Sequence, residues 1–242
     1  MKFTIDGLEI SAEQDDTIMD ASRRAGVFIP GLCYSSSTEP THSCRLCMVE
    51  VEEKNSLRLV AACAYKVKEN LKVVTTTERV SKVRKTILKH LYSMAPENPA
   101  IMELMNLYKI EKAPIIKEKK SHCILCGRCV KACEKLGISA ISTVNRGVTK
   151  EINTPYGKPA EYCMGCGSCS EVCPTKCITI KDNEEGRTIW HKHFEWARCE
   201  KCGVIVTTKE HFANSNPNNT PVVCPVCKRR YMTDVFADTF GE

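Results

Sequence analysis

Aromatic side chains make up only 6% of this 242-residue chain, which excludes a large aromatic core and shifts the burden of stability elsewhere. No apolar run approaches the roughly 20 residues that a helix needs to cross a bilayer. The opening MKFTIDGLEI alternates like a strand and shows no basic-then-apolar signal region. A soluble, cytoplasmic protein with no membrane partner is therefore expected. The chain also lacks a G-x-G-x-x-G after a strand and a Walker sequence, and no paired carboxylates or Ser/His arrangement converge on a pocket. Nothing in it binds flavin or nicotinamide by a recognisable device, so substrate chemistry is expected to belong to partners.

Cysteine is what the chain has. There are 17, and all but Cys177 fall into four groups of four. Cys-x-x-Cys pairs without a signal region favour metal ligation in a reducing compartment over disulfides. The formal charge of +6 counts these thiols as neutral. Four thiolates around a 2+ cluster core or Zn²⁺ leave about −2 per site, and four such sites would bring the loaded protein to about −2. The basic balance is thus weak support for nucleic acid, and the Lys117–Lys120 and Lys228–Arg230 runs read as solvated surface.

An α+β protein of several small units is expected. Residues 1–75 read as a β-grasp [2Fe–2S] ferredoxin domain. Phe3 and Ile5 alternate into the Asp6-Gly7 hairpin turn, and Leu8 and Ile10 continue beyond it. Asp15, Asp16 and Thr17 offer caps for a helix with Ile18, Met19, Ala21 and Ala25 as its apolar positions, closed by Gly26. Met48–Val51 and Leu71–Val74 are further strands, with Cys33–Cys47 as the cysteine-bearing loop. Residues 76–112 are a helical connector: a Thr75-x-x-Glu78 capping box precedes the stripe Val80, Val83, Ile87, Leu91. Asn98-Pro99 then starts a second helix with Ile101, Leu104, Met105 and Tyr108 on one face. Residues 113–182 form a bacterial-type 2[4Fe–4S] ferredoxin domain, and residues 190–242 a small zinc-ribbon-like module.

Cys33, Cys44, Cys47 and Cys63 have the layout of a [2Fe–2S] site, a tight pair flanked by two distant cysteines; the alternative is a structural zinc site. Cys123-x2-Cys126-x2-Cys129-x3-Cys133 and Cys163-x2-Cys166-x2-Cys169-x3-Cys173-Pro174 are each the bacterial ferredoxin run, in which the fourth cysteine ligates the other cube. One [4Fe–4S] cluster is assigned to Cys123, Cys126, Cys129 and Cys173, the second to Cys163, Cys166, Cys169 and Cys133. Gly127, Gly165 and Gly167 let the backbone wrap close to the sulfides. Cys199-x2-Cys202-x21-Cys224-x2-Cys227 resembles a zinc ribbon, with Zn²⁺ the expected metal and a rubredoxin-type iron or a further cluster as alternatives. His191 and His193 are read as strand residues, and Cys177 as packing beside Cys173.

Gly31-Leu32-Cys33-Tyr34 and Cys44-Arg45-Leu46-Cys47-Met48-Val49-Glu50-Val51 resemble the amino-terminal ferredoxin segment of the large iron–sulfur subunit of respiratory NADH dehydrogenase. The same segment opens the iron-only hydrogenases and the diaphorase subunits of bidirectional hydrogenases. Ile124-Leu125-Cys126-Gly127-Arg128-Cys129-Val130, Asn145-Arg146-Gly147 and Cys173-Pro174-Thr175 resemble the electron-bifurcating and iron-only hydrogenase subunits in particular, and the likeness covers about residues 1–182. Two departures matter. Those families hold a further cube with His-x3-Cys-x2-Cys-x5-Cys, but the offsets from His90 are Met94, Glu97 and Glu103, so that cluster is not expected. The hydrogenase domain is missing too, so hydrogen chemistry is not expected on this polypeptide.

The resemblance implies an electron-transfer subunit of a soluble NAD(P)H-linked flavin oxidoreductase complex, electron-bifurcating and of transhydrogenase, hydrogenase or formate-linked type. Its partners would be flavin- and NAD(P)H-binding subunits, with ferredoxin as a donor or acceptor. The alternatives are an iron–sulfur sensor that binds nucleic acid through the ribbon and Lys228-Arg229-Arg230, and a free multi-cluster ferredoxin. Three clusters suit a wire better than a sensor.

Overall fold

The computed structural model describes residues 1–53, 56–96, 98–112, 122–218 and 220–240, with residues 234–240 as backbone. It opens with β1 (Lys2–Ile5) and β2 (Leu8–Ser11), which pair antiparallel across Asp6-Gly7 with Ile5 opposite Leu8. Helix α1 (Ile18–Arg24) follows, then β3 (Met48–Glu53), β4 (Ser56–Ala61) and β5 (Lys72–Val74). The strand order is β2-β1-β5-β3-β4, with β5 parallel to β1 and antiparallel to β3. This is a β-grasp sheet. Phe3, Ile5, Ile18, Met19, Val49, Val51 and Val73 form its core. Burying a side chain of the size of Phe3 contributes about 1.5–3 kcal/mol.

Local chemistry explains the ends of α1. Thr17 caps it and Asp20 closes the box back onto the Thr17 amide, while Gly26 takes the left-handed conformation (φ +72°) just past the helix.

Helix α2 (Glu78–Met94) is capped by Thr77 and not by Thr75. The Thr75 hydroxyl and amide instead donate to the Asp6 carboxylate at 2.5 and 2.8 Å, tying the hairpin turn to β5, so the expected capping box does not form. Helix α3 (Pro99–Leu107) starts as expected from Asn98, with proline in its first turn. The two helices build a second core from Leu88, Leu91, Ile101 and Met105, and that core also takes in Leu32, Cys33, Cys44, Leu46, Ile124 and Cys126. The connector is thus the floor on which two cysteine loops rest.

Helix α4 (Arg128–Lys135), the ribbon of β6 (Ser142–Val144) and β7 (Glu151–Asn153), and the single turn α5 (Ser168–Glu171) make up the ferredoxin-like segment. Beyond it lies a four-stranded antiparallel sheet of β8 (Lys181–Asp182), β9 (Gly186–Ile189), β10 (Lys192–Arg198) and β11 (Ile205–Thr208). This sheet spans the interval between residues 182 and 190, where the sequence suggests a break. Helices α6 (Lys209–Ser215) and α7 (Pro225–Phe240) complete the chain. No helix among the described residues is long and apolar enough to cross a membrane.

Candidate metal centres

Cys33, Cys44 and Cys47 lie on the loop between α1 and β3, and Cys63 on the turn after β4; all four are buried. The Cys47 and Cys63 sulfurs are 3.3 Å apart, and Cys33 hydrogen-bonds with both Cys44 and Cys63. Backbone amides aim at the group, those of Leu46 and Leu32 at Cys44. The bond with Cys63 holds Cys47 down to about 7, and bonds with Cys44 and Cys63 hold Cys33 far below the usual thiol range. Cys44 is pushed well above it by its bond to Cys33 and then by burial, and Cys63 by its bonds to Cys33 and Cys47 and then by burial. Four buried thiols sharing protons in this way can all ionise only around a cationic core, which fits a metal cluster. His42, with its Nδ1 at 3.3 Å from the Cys63 sulfur, is an added neighbour that spacing did not reveal.

Cys123, Cys126, Cys129 and Cys173 line one cavity of about 140 Å³, together with Ile124, Cys177 and Trp190. Cys133, near the end of α4, is brought beside the second run instead: its charge acts on both Cys163 and Cys169. Cys123, Cys126, Cys129 and Cys173 thus surround one cavity, while Cys133 lies beside Cys163 and Cys169. Helices α4 and α5 each begin on a left-handed glycine, Gly127 (φ +76°) and Gly167 (φ +82°), so the chain can turn tightly around the sulfurs. Burial pushes Cys126 up to about 11, Cys129 to about 12 and Cys169 to about 11. Cys173 is raised to about 12 first by its bond with Cys177 and then by burial. Buried thiols that resist ionisation in the bare protein are what a cluster cation would compensate. Cys177 packs where expected, its sulfur 3.6 Å from that of Cys173.

The groups form a series. Thr41 and Ser43, on the first loop, both donate hydroxyl hydrogen bonds to the carbonyl oxygen of Cys126, at 2.5 and 3.0 Å. The charge of Cys33 reaches Cys126, and that of Cys169 reaches Cys129. Buried Arg84 braces the floor by donating to the Met48 carbonyl (2.7 and 3.1 Å) and the Tyr108 hydroxyl.

Cys199 and Cys202 sit just after β10, and Cys224 and Cys227 at the start of α7, with all four sulfurs within 4.8 Å of one another. The Cys202 and Cys224 sulfurs are 3.7 Å apart. Amides of Cys224 and Cys227 donate to Cys199 and Cys224, and the Cys224 amide is the main cause holding Cys199 down to about 6. His193 lies in β10 and pairs with Thr188 at 3.2 Å, whereas His191 lies in the β9–β10 turn with φ +62° and not in a strand. His90 is exposed on α2, and Lys228–Arg230 are exposed on α7. Glu97 and Lys117–Lys120 fall outside the described residues.

Comparisons with known proteins match two stretches of the chain to iron–sulfur domains. Residues 1–78 match the 2Fe-2S iron-sulfur cluster binding domain, and residues 115–180 the 4Fe-4S dicluster domain. The NADPH-Fe(3+) oxidoreductase subunit alpha of Geobacter sulfurreducens is 31% identical over 206 residues, covering 75% of this chain and 24% of that protein. The NADP-reducing hydrogenase subunit HndD of Solidesulfovibrio fructosivorans is 30% identical over 239 residues, covering 86% of this chain and 40% of that protein. Subunits G of NADH-quinone oxidoreductases are also among the relatives. A crystal structure of an NAD+-reducing [NiFe]-hydrogenase in the H2-reduced state superposes with a TM-score of 0.57 at 26% identity, covering 63% of this chain and 74% of that one. The chain spans about a quarter of the length of the first curated relatives it matches.

Proposed function

We propose that this homologue of NADH-quinone oxidoreductase G subunits and NADP-reducing hydrogenase subunits, built from a 2Fe-2S domain and a 4Fe-4S dicluster domain, works as an electron relay. It is the iron–sulfur subunit of an NAD(P)H-linked flavin oxidoreductase complex, of electron-bifurcating type, with ferredoxin or another subunit at the far end. Cys33, Cys44, Cys47 and Cys63 hold a [2Fe–2S] cluster. Cys123, Cys126, Cys129 and Cys173 hold one [4Fe–4S] cluster, and Cys163, Cys166, Cys169 and Cys133 a second. Such clusters supply reversible one-electron chemistry.

The observation that carries the reading is the double hydrogen bond from Thr41 and Ser43 to the Cys126 carbonyl, which seats the first cysteine loop on the second. The protein fixes the order of the sites, excludes water with the α2–α3 floor, and aims amide dipoles at the sulfurs.

Cys199, Cys202, Cys224 and Cys227 hold Zn²⁺. A Zn–S bond of about 2.3 Å implies a tetrahedron edge of about 3.8 Å, which compares with the 3.7 Å between the Cys202 and Cys224 sulfurs. A cube would spread its thiolates farther, one on each of four irons.

The test is simple. The reconstituted chain alone is expected neither to oxidise NADH or NADPH nor to evolve hydrogen, yet to be reduced by dithionite at all three clusters. Nicotinamide turnover by the isolated chain with flavin bound would overturn the assignment of chemistry to partners.

A further inference from the structure

We propose that the β9–β10 hairpin is a clamp that sets the redox potential of the cube at Cys133, Cys163, Cys166 and Cys169, with Trp190 as its donor to the ligand sulfur. The proposal rests on the ligand reading above. The hairpin lies beyond both matched domains, which end at residues 78 and 180.

The backbone of the second cysteine run is gripped from one side. The Arg187 guanidinium donates to the carbonyls of Gly165 and Cys166 at 3.1 and 3.3 Å. The Lys192 ammonium donates to those of Glu161 and Cys163, both at 2.9 Å. The fully buried Thr208 hydroxyl, from the end of β11, donates to that of Met164 at 2.5 Å. Phe194 lies so close to Gly165 that an added Cβ would meet its ring at 2.7 Å.

Holding the carbonyls outward turns the opposite ends of the same peptides inward. The peptide whose carbonyl oxygen takes the Thr208 hydroxyl presents its Gly165 amide to the Cys163 sulfur. At that peptide the donor on the outside therefore strengthens a donor on the inside. Arg187 is itself paired with Asp182, at 2.8 and 2.9 Å, whereas among the described residues no carboxylate hydrogen-bonds Lys192.

Trp190 completes the clamp. Its indole Nε1 donates to the Cys169 sulfur at 3.4 Å, and its ring also lines the cavity of the first cube. It adopts φ +51°, a conformation that costs a non-glycine residue and persists where the surroundings impose it. One side chain thus stands between the two cube sites. Reduction adds negative charge to a cluster, so donors aimed at its sulfurs favour the reduced state and raise its potential.

The experiment is an EPR-monitored redox titration of the full reconstituted chain, preceded by an iron count. Trp190→Phe keeps an aromatic ring and removes the N–H. The expected result is unchanged iron and, for one cube, an equilibrium shifted about tenfold toward the oxidised form, a fall of about 59 mV for a one-electron couple. The [2Fe–2S] midpoint should stay in place. If Trp190→Phe loses iron, Lys192→Gln reads the same quantity from the rim of the clamp and should lower the same midpoint. Unchanged midpoints in the variant that retains its iron overturn the proposal. Wild-type protein that takes up fewer than two cubes overturns the ligand reading beneath it, and the iron count separates the two failures.

Discussion

The hydroxyl of Thr41 donates to the carbonyl oxygen of Cys126 at 2.5 Å, across 85 residues of chain. Ser43 adds a second donor to the same oxygen, and Thr41 also hydrogen-bonds the Cys33 sulfur. One threonine therefore touches the ligand set of the first site and the backbone of the second.

Replacing Thr41 by Val and Ser43 by Ala should leave the iron content intact and loosen this seat. Each lost hydrogen bond should cost about 1 kcal/mol, lowering the unfolding midpoint by about 2–4 °C per kcal/mol. Electron transfer from the [2Fe–2S] cluster to the cubes should slow in flash-reduction measurements. A double variant with wild-type melting and wild-type transfer would show that the contact does not hold the two loops together.

Anaerobic reconstitution should yield about ten irons per chain, from one [2Fe–2S] and two [4Fe–4S] clusters. Cys177, although its sulfur is 3.6 Å from that of Cys173 and it lines the same cavity, should be dispensable. Cys177→Ala should retain all the iron, whereas Cys173→Ser should lose about four atoms. The reverse result would make Cys177 the ligand and Cys173 its neighbour.

Gly165 (φ +69°) faces the ring of Phe194, so its alanine variant meets both backbone strain and a clash. Strain and overpacking together should cost about 2–4 kcal/mol and empty the second cube site. Gly137 (φ +74°) has open space around its Cβ position, and Gly137→Ala should cost only about 1 kcal/mol. Thermal melts and iron counts on the pair separate the two effects. Equal losses would mean that Phe194 does not press on the loop.

The clustering of the cysteines was legible because offsets such as Cys123-x2-Cys126-x2-Cys129 leave the chain little freedom, and the turn at Asp6-Gly7 and the cap at Asn98-Pro99 follow from local chemistry. The clamp was not legible. Its partners are carbonyl oxygens of Glu161, Cys163, Met164, Gly165 and Cys166, and sequence carries no mark for a backbone atom that a distant Lys192 or Arg187 will reach. The cap of α2 moved from Thr75 to Thr77 for a related reason, since a tertiary bond to Asp6 outcompeted a local one. The sheet across residues 181–208 was hidden by a two-residue strand, β8, too short to show any period.

The terminal site offers the last test. Zinc has no redox chemistry, so a four-thiolate zinc site organises structure and carries no electrons. Cys199 and Cys202 follow β10 at the end opposite Lys192, while Arg187, Trp190, Lys192 and Phe194, which grip the second cysteine run, lie at or near the β9–β10 turn, and Thr208, which also grips it, closes β11 opposite Trp196. Loss of the metal should therefore loosen the knuckles and the start of α7 before it disturbs the cubes. The double variant Cys199→Ser, Cys202→Ser should lose about one zinc per chain and keep its iron and cluster spectra. It should fail to assemble with partner subunits if the module, which lies beyond both matched domains, is where they dock. Metal analysis, dithionite titration and size-exclusion chromatography with the partners read these three outcomes. Loss of iron in the double variant would make the terminal site a redox centre, and assembly without zinc would remove docking from its role.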